Sequence, residues 1–304
     1  MAGRAWAWVR ALPGRLWSAV FAPRPIVRLA ALRIAAPLAI LGFMSSRIAH
    51  ADEWLSDAGF RVPALADWRQ PLSLPALPTW AAWSVAAALA VSGLATSLGV
   101  ATRWASGVFA VLLGYVALAD RLAAFTVSKL APAIVLVLWL SPSGVRYSID
   151  AWRRHRREPT AVRPELVSGG CVAFVQLLLP VFYFSSGLCK ARGDWLTEPY
   201  VLWTQLHDSY QTTVSWVIAN HAPAWLWTVI QGAVLAFECG APLWFGLRWT
   251  RPFALAFGVG MHAMIGVMFG PVIWFSLLMI TLLISSYAPE RWLVRALTLR
   301  RRPA

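Results

Sequence analysis

VSGGCVAFVQLLLPVFYFSSGLCKARGDWL, residues 167–196, decides the fold. Its first two-thirds is an almost unbroken apolar run, long enough to cross the roughly 30 Å hydrocarbon layer of a bilayer as a helix. The polar change at its end is abrupt and begins with a lysine. The chain has 27 basic residues, of which only Lys129 and Lys190 are lysine. Arginine keeps its proton inside a protein, whereas a partly desolvated lysine can release it. The position of Lys190, at the outer end of an apolar span, therefore bears on chemistry as well as on topology.

Similar runs recur along the chain. Candidate spans lie at 29–49, 79–100, 104–119, 123–142, 167–189, 223–247, 252–269 and 272–288. With 59% hydrophobic residues, 13% charged residues and a mean hydropathy of +0.60, the 304-residue chain reads as all-α, a polytopic transmembrane bundle of about eight spans. Its net charge of +14 does not indicate nucleic acid, because the arginines cluster between spans. Five lie in 1–28, six in 143–164 and five in 289–304, while 50–78 and 191–222 hold more acids than bases. Eight spans with both termini cytoplasmic put every arginine-rich segment on the inner side. The 19 tryptophans suit aromatic belts at the two interfaces.

This reading divides the chain into a basic amphipathic segment at 1–28, a transmembrane domain at 29–288 and a basic tail at 289–304. Within the first segment, residues 4–21 alternate arginine with tryptophan and leucine, as a surface-lying helix would. The run Ile34–Met44 and the "AHA" at 49–51 also have features of a cleaved leader, although the basic region before them is long and Arg47 intervenes. Whether the first span is cleaved stays open.

Ionisable residues inside a membrane are expensive and mark candidate sites. Lys190 reads either as a cation snorkelling to the outer interface or as an amine base with a lowered pKa. Glu238, in LAFECGAPLWF, must be protonated or paired, with Arg248, Arg251 and His262 as candidate partners. His262, in GVGMHAMIGVMFG, is either a hydrogen-bonded packing residue or part of a site. A bundle can bring the three to one cavity. Asp194 and Trp195 follow Lys190 as a charge and an interfacial aromatic. Lys129, in FTVSKLAP, is either a snorkelling anchor or a second cation on the side of Lys190. There is no phosphate-binding loop, no nucleophile elbow and no cluster with metal-ligand spacing, so no metal is expected. Without paired inverted repeats, a transporter is the weaker reading.

The motifs resemble the vitamin K-dependent gamma-carboxylase family, including the bacterial membrane proteins grouped as the HTTM domain. LAALRIAAPLAILGF at 29–43 resembles the first span of that family, and TSLGVATRWAS at 96–106 its glycine-then-arginine turn. VRYSIDAW at 145–152 is similar to its serine-x-aspartate segment. SSGLCKARGDWL at 185–196 is similar to its glycine-x-x-lysine run, and ECGAPLWFGLRWTRP and MHAMIGVMF to the elements that follow. The resemblance implies an enzyme of the bacterial inner membrane with its active site facing outward. Lys190 would be the base that deprotonates a reduced quinone (a vitamin K hydroquinone-like cofactor), with Glu238 and His262 orienting or relaying. Arg251 would be a counter-ion, and Asp194, Trp195 and Lys129 would border the substrate. A peptide or small molecule would approach from the outer side, and carbon dioxide would add to a carbanion. Two departures stand out. The family's carboxylases carry a histidine just before the fourth span, where this chain has FTVSKLAP, and they carry a large extramembrane domain after the spans. The alternative is a non-enzymatic quinone- or lipid-binding protein, or a partner subunit, on the same scaffold.

Overall fold

The computed structural model describes residues 14, 17–59, 74–119, 125–160, 164–207 and 210–298. Of the amphipathic segment expected at 4–21, only residues 14 and 17–21 lie inside them, and the basic tail is described only as far as Thr298.

Among the described residues, eight apolar helices build the bundle: α1 (Val27–Ala49), then, beyond the short α2 (Ala51–Leu55), α3 (Thr79–Leu98), α4 (Thr102–Ala119) and α5 (Thr126–Leu140). The amphipathic α6 (Ile149–Arg157) precedes α7 (Gly170–Arg192). Two short helices, α8 (Val201–Gln205) and α9 (Thr213–His221), lead to α10 (Ala224–Gly246), α11 (Arg251–Met268) and α12 (Ile273–Tyr287), and α13 (Glu290–Thr298) follows. Seven of the apolar helices are long enough to cross a membrane, counting the short turn at Gly270–Val272 with α12. The exception is α5, at 15 residues, or about 22 Å at 1.5 Å per residue. It stops because Ser141 is extended (φ −103°, ψ 157°), as a residue before proline prefers.

Helices α5, α4, α3, α1, α12 and α11 pack in that order, each on the next, and α7 with α10 forms a pair that leans on α12 and α11. Leu94, Val111, Leu177, Val229 and Phe253 remain exposed on the outside, where lipid would cover them. The expected boundaries agree with the helices to within about three residues. The largest functional difference is at α7, which continues past 189 to Arg192 and so takes Lys190 into its last turn. Two cations suit the negative end of the helix dipole there, and the Gly193 N–H closes the helix on the carbonyls of Cys189 and Lys190.

The two ends of the bundle differ. One end gathers the start of α1, the start of α7 and the end of α12. Here Arg24–Pro25 pairs with Leu166–Val167 as a two-residue antiparallel ladder, β1 with β2. Arg28 donates to the carbonyls of Ser285, Ser286 and Ala288. Pro180 lacks an N–H, so the Gln176 carbonyl one turn earlier loses its helical donor, and the Tyr287 hydroxyl donates to it instead.

At the opposite end, residues 193–207 and 210–222 fold over the start of α10. Gln231, buried in α10, donates to the carbonyls of Trp195 and Glu198 and accepts from the Leu202 N–H. Leu206, Ala219, Trp227 and Met268 form a small second core there.

Candidate functional site

Lys190, Glu238 and His262 come from α7, α10 and α11 and meet near the start of the 193–207 segment as two linked pairs. Tyr183, Gly187 and Lys190 are spaced i, i+4, i+7 and share one face of α7. Gln231, Glu238 and Phe245 are spaced by sevens and share one face of α10. Gly187 lets the two faces touch: a Cβ there would lie 2.7 Å from the Cys239 backbone nitrogen and 3.0 Å from the Glu238 carbonyl carbon.

At this crossing Lys190 Nζ donates to Glu238 Oε1 at 2.5 Å. The Glu238 side chain is 7% exposed and the Lys190 side chain 26%. The Trp195 ring lies over the ammonium, with Nζ 4.8 Å from its centroid. The lysine is therefore held between a carboxylate and an aromatic face.

Two turns back along α7, the Tyr183 hydroxyl is 2.7 Å from His262 Nε2, and both residues are buried. Phe237, the neighbour of Glu238, joins the two pairs, its ring 5.2 Å from that of Tyr183. Phe245 stacks on Tyr183 and meets Phe237 edge-on, and Phe275 meets the His262 ring edge-on. Gly258 and Gly266, one turn either side of His262, bring α11 close to Leu283 and Phe237 and to Ser276. Three buried polar atoms here have no hydrogen-bond partner among the described residues, Glu238 Oε2, His262 Nδ1 and Ser276 Oγ.

The remaining candidates lie elsewhere. Arg251 sits past the far end of α10, where its Nε donates to the Phe245 carbonyl at 2.8 Å and its Nη2 to that of Gly246 at 3.2 Å. The carboxylate of Glu238 is thus paired by Lys190 and not by the arginines nearest in sequence, because α10 runs away from Glu238 toward Arg248 and Arg251. Nor does His262 bond Glu238 directly, since Tyr183 takes its ring nitrogen. Asp194 is exposed and lines an open depression of about 580 Å³ with Glu198, Tyr200, Thr204 and His207. Lys129 is an exposed residue in the first turn of α5. Tyr183 and Gln231 escaped the sequence reading, although each lies seven residues from an ionisable residue on the same helix face.

A second polar cluster joins three of the resembling motifs at the arginine-rich end. Arg33 is wholly buried in α1. Its Nη1 donates to the carbonyls of Thr96 and Ser97 at 3.1 and 2.6 Å, and its Nη2 to that of Tyr147 at 2.5 Å. Gly99, at φ 73°, makes the turn between α3 and α4, and a Cβ there would lie 2.3 Å from Ser148 Cβ and 2.7 Å from Arg33 Nη1. Asp150 accepts from the N–H groups of Ala101 and Thr102 at 3.0 and 2.8 Å and from the Thr102 hydroxyl at 2.8 Å. Burial pushes the Asp150 carboxyl up, but these bonds and Arg154 outweigh it and leave it below the usual carboxylate range.

A family model described as the HTTM domain matches residues 21–292, nearly the whole chain. It is the domain of vitamin K-dependent gamma-carboxylase-like proteins. No curated protein and no solved structure matches the chain.

Proposed function

The chain belongs to the HTTM-domain family, and on that premise we propose that it is an integral membrane enzyme in which Lys190 removes a proton from a quinol or a similar membrane-embedded acid. The observation that carries this reading is the 2.5 Å contact between Lys190 Nζ and the buried Glu238 carboxylate. A quinol, when bound, supplies an acidic ring hydroxyl. The surroundings fit such a group: aromatic rings from Tyr183, Phe237, Phe245 and Phe275, and two unpartnered polar atoms, Glu238 Oε2 and His262 Nδ1.

In this reading Lys190 and Glu238 begin as an ion pair, so Lys190 needs an outlet for its own proton before it can accept another. Glu238 Oε1 is that outlet. Excluding water from a site disfavours two separate charges relative to a neutral amine and a neutral acid. Once the proton has crossed to Glu238, Nζ has a free electron pair for a hydroxyl proton of the substrate. Lys190 ends as an ammonium and Glu238 as a neutral acid, and the carboxylate's negative charge has been exchanged for one on the substrate oxygen. The net charge of the site never changes, which keeps the step affordable at low dielectric. Tyr183 and His262, deeper in the bundle, hold the ring in place. Trp195, Asp194 and the depression beyond them border an approach for an outer-side substrate.

The arginine distribution supports placing the α1–α7–α12 end in the cytoplasm and Lys190 toward the outer face of a bacterial inner membrane. Impermeant thiol labelling should then reach Thr204→Cys and miss Thr160→Cys in cells, and the reverse pattern removes the outward-facing site.

The activity test uses the protein in nanodiscs with a reduced naphthoquinone and dissolved oxygen as the oxidant of the deprotonated quinol, following quinol consumption and, separately, incorporation of labelled bicarbonate. Lys190→Arg and Lys190→Met should both lose about 10²–10⁴-fold in quinol consumption, the usual worth of a positioned base. Full activity in Lys190→Arg would overturn the base role. The bicarbonate arm decides whether proton removal is coupled to carboxylation. A second reading, a quinone- or lipid-binding protein without turnover, draws on the closure of Lys190 by Glu238 and Trp195. It predicts that quinone is bound but never consumed.

A further inference from the structure

The arginine-rich end carries Arg103, Arg153 and Arg157, which neither the Arg33 cluster nor the Lys190 site uses. Where the first turn of α4 meets α6, a concavity of about 430 Å³ is lined by Ala101, Thr102, Arg103, Trp104, Asp150, Arg153, Arg154 and Arg157. That volume lies within the roughly 300–1,000 Å³ of small-molecule sites. Four of these side chains are guanidinium groups and one is a carboxylate. The carboxylate of Asp150 is already engaged by Ala101 and Thr102. Arg154 gives one Nη to the Gly144 carbonyl at 3.0 Å. Arg103, Arg153 and Arg157 have no side-chain hydrogen bond or ion pair among the described residues. Several arginines facing one concavity without a partner repel one another unless an anion enters.

The setting says which anion. Trp104, 80% exposed, stands in the first turn of a membrane-crossing helix, and Trp152, 50% exposed, stands on α6 with Arg156 over its ring at 4.2 Å. Exposed tryptophans at a helix end sit at headgroup level. Guanidinium groups bind phosphate oxygens in pairs. We propose that this concavity binds the phosphate of an anionic phospholipid from the adjoining leaflet, with Arg103, Arg153 and Arg157 as its donors and Trp104 and Trp152 resting in the acyl boundary. The site bridges α4 and α6, so an occupied site fastens the amphipathic α6 to the bundle.

Native mass spectrometry of the full chain, delipidated in detergent, tests this with phosphatidylglycerol, phosphatidylcholine and inorganic phosphate as separate probes. Phosphatidylglycerol should bind in preference to phosphatidylcholine. Arg153→Gln with Arg157→Gln should weaken it roughly 25-fold, at about fivefold per arginine near a headgroup. Arg291→Gln with Arg295→Gln, on α13, should leave it unchanged. Arg103→Gln, on the other wall, should weaken it about fivefold, and size exclusion verifies the fold of each variant. Equal loss in both double variants would mean a diffuse basic field and overturn the site. Equal binding of the two lipids would overturn it as well. Displacement of phosphatidylglycerol by millimolar inorganic phosphate would show a free-anion site and overturn the lipid assignment.

Discussion

Arg33 and Lys190 are both basic residues carried into the bundle by apolar helices, and the structure treats them in opposite ways. Arg33 is wholly buried and gives three hydrogen bonds to backbone carbonyls, leaving only its Nε without a partner. Those carbonyls belong to the last turn of α3 and to the loop before α6, so the arginine closes a helix end and fixes a turn. Lys190 instead meets a carboxylate, which can take its proton, and beside it Glu238 Oε2 and His262 Nδ1 are buried and unpartnered. Backbone carbonyls cannot accept a proton at accessible pH, so the first arrangement can only hold structure. The second can move a proton, and it has polar capacity in reserve for a ligand.

The largest expected effect separates the two regions by readout. Lys190→Met should abolish quinol turnover, at the 10²–10⁴-fold level above, while lowering thermal stability in detergent only modestly, because Glu238 can neutralise itself by taking a proton. A collapse of the fold in this variant would place Lys190 with Arg33 as a structural cation. Next comes Arg33→Met, which removes three hydrogen bonds to carbonyls, of which that of Thr96 keeps a bond from the Gly99 N–H, and should destabilise the protein by about 3 kcal/mol or more. Gly99→Ala should follow it, through a strained φ and the 2.3 Å approach to Ser148 Cβ. Near-native melting of Arg33→Met would dissolve the contrast.

The smallest effect belongs to Asp150. Its carboxylate caps the start of α4 from another segment, and Asp150→Ala should lose about 0.5–2 kcal/mol, as for other capping residues. The folded state holds this carboxyl below its unfolded value, so its stabilisation is present above the ordinary carboxylate range and is lost as pH falls through the folded pKa. The wild type should therefore melt progressively earlier below about pH 4, and Asp150→Ala should flatten that part of the profile. An unchanged slope in the variant would assign the acid sensitivity to other carboxylates.

Much of this was legible in the chain itself. Apolar runs and arginine clusters are properties of short windows, so the apolar helices and the grouping of the arginine-rich segments at one end could be read without knowing any contact. So could the candidacy of Lys190, Glu238 and His262, because an ionisable residue in an apolar window is conspicuous wherever it packs. The motifs at 29–43, 96–106 and 145–152 were recognisable separately, but nothing in them says that Arg33 donates to the second and third at once.

Tertiary structure decided the partners. Glu238 is near Arg248 and Arg251 in sequence, yet it pairs with Lys190, 48 residues away, because Gly187 lets α7 and α10 close on each other just there. Tyr183 looked like one more aromatic in an apolar run until α11 brought His262 to its hydroxyl. Burial of a polar group is set by local composition, whereas the group that satisfies it is set by which helix faces meet, and that depends on the packing of the whole bundle.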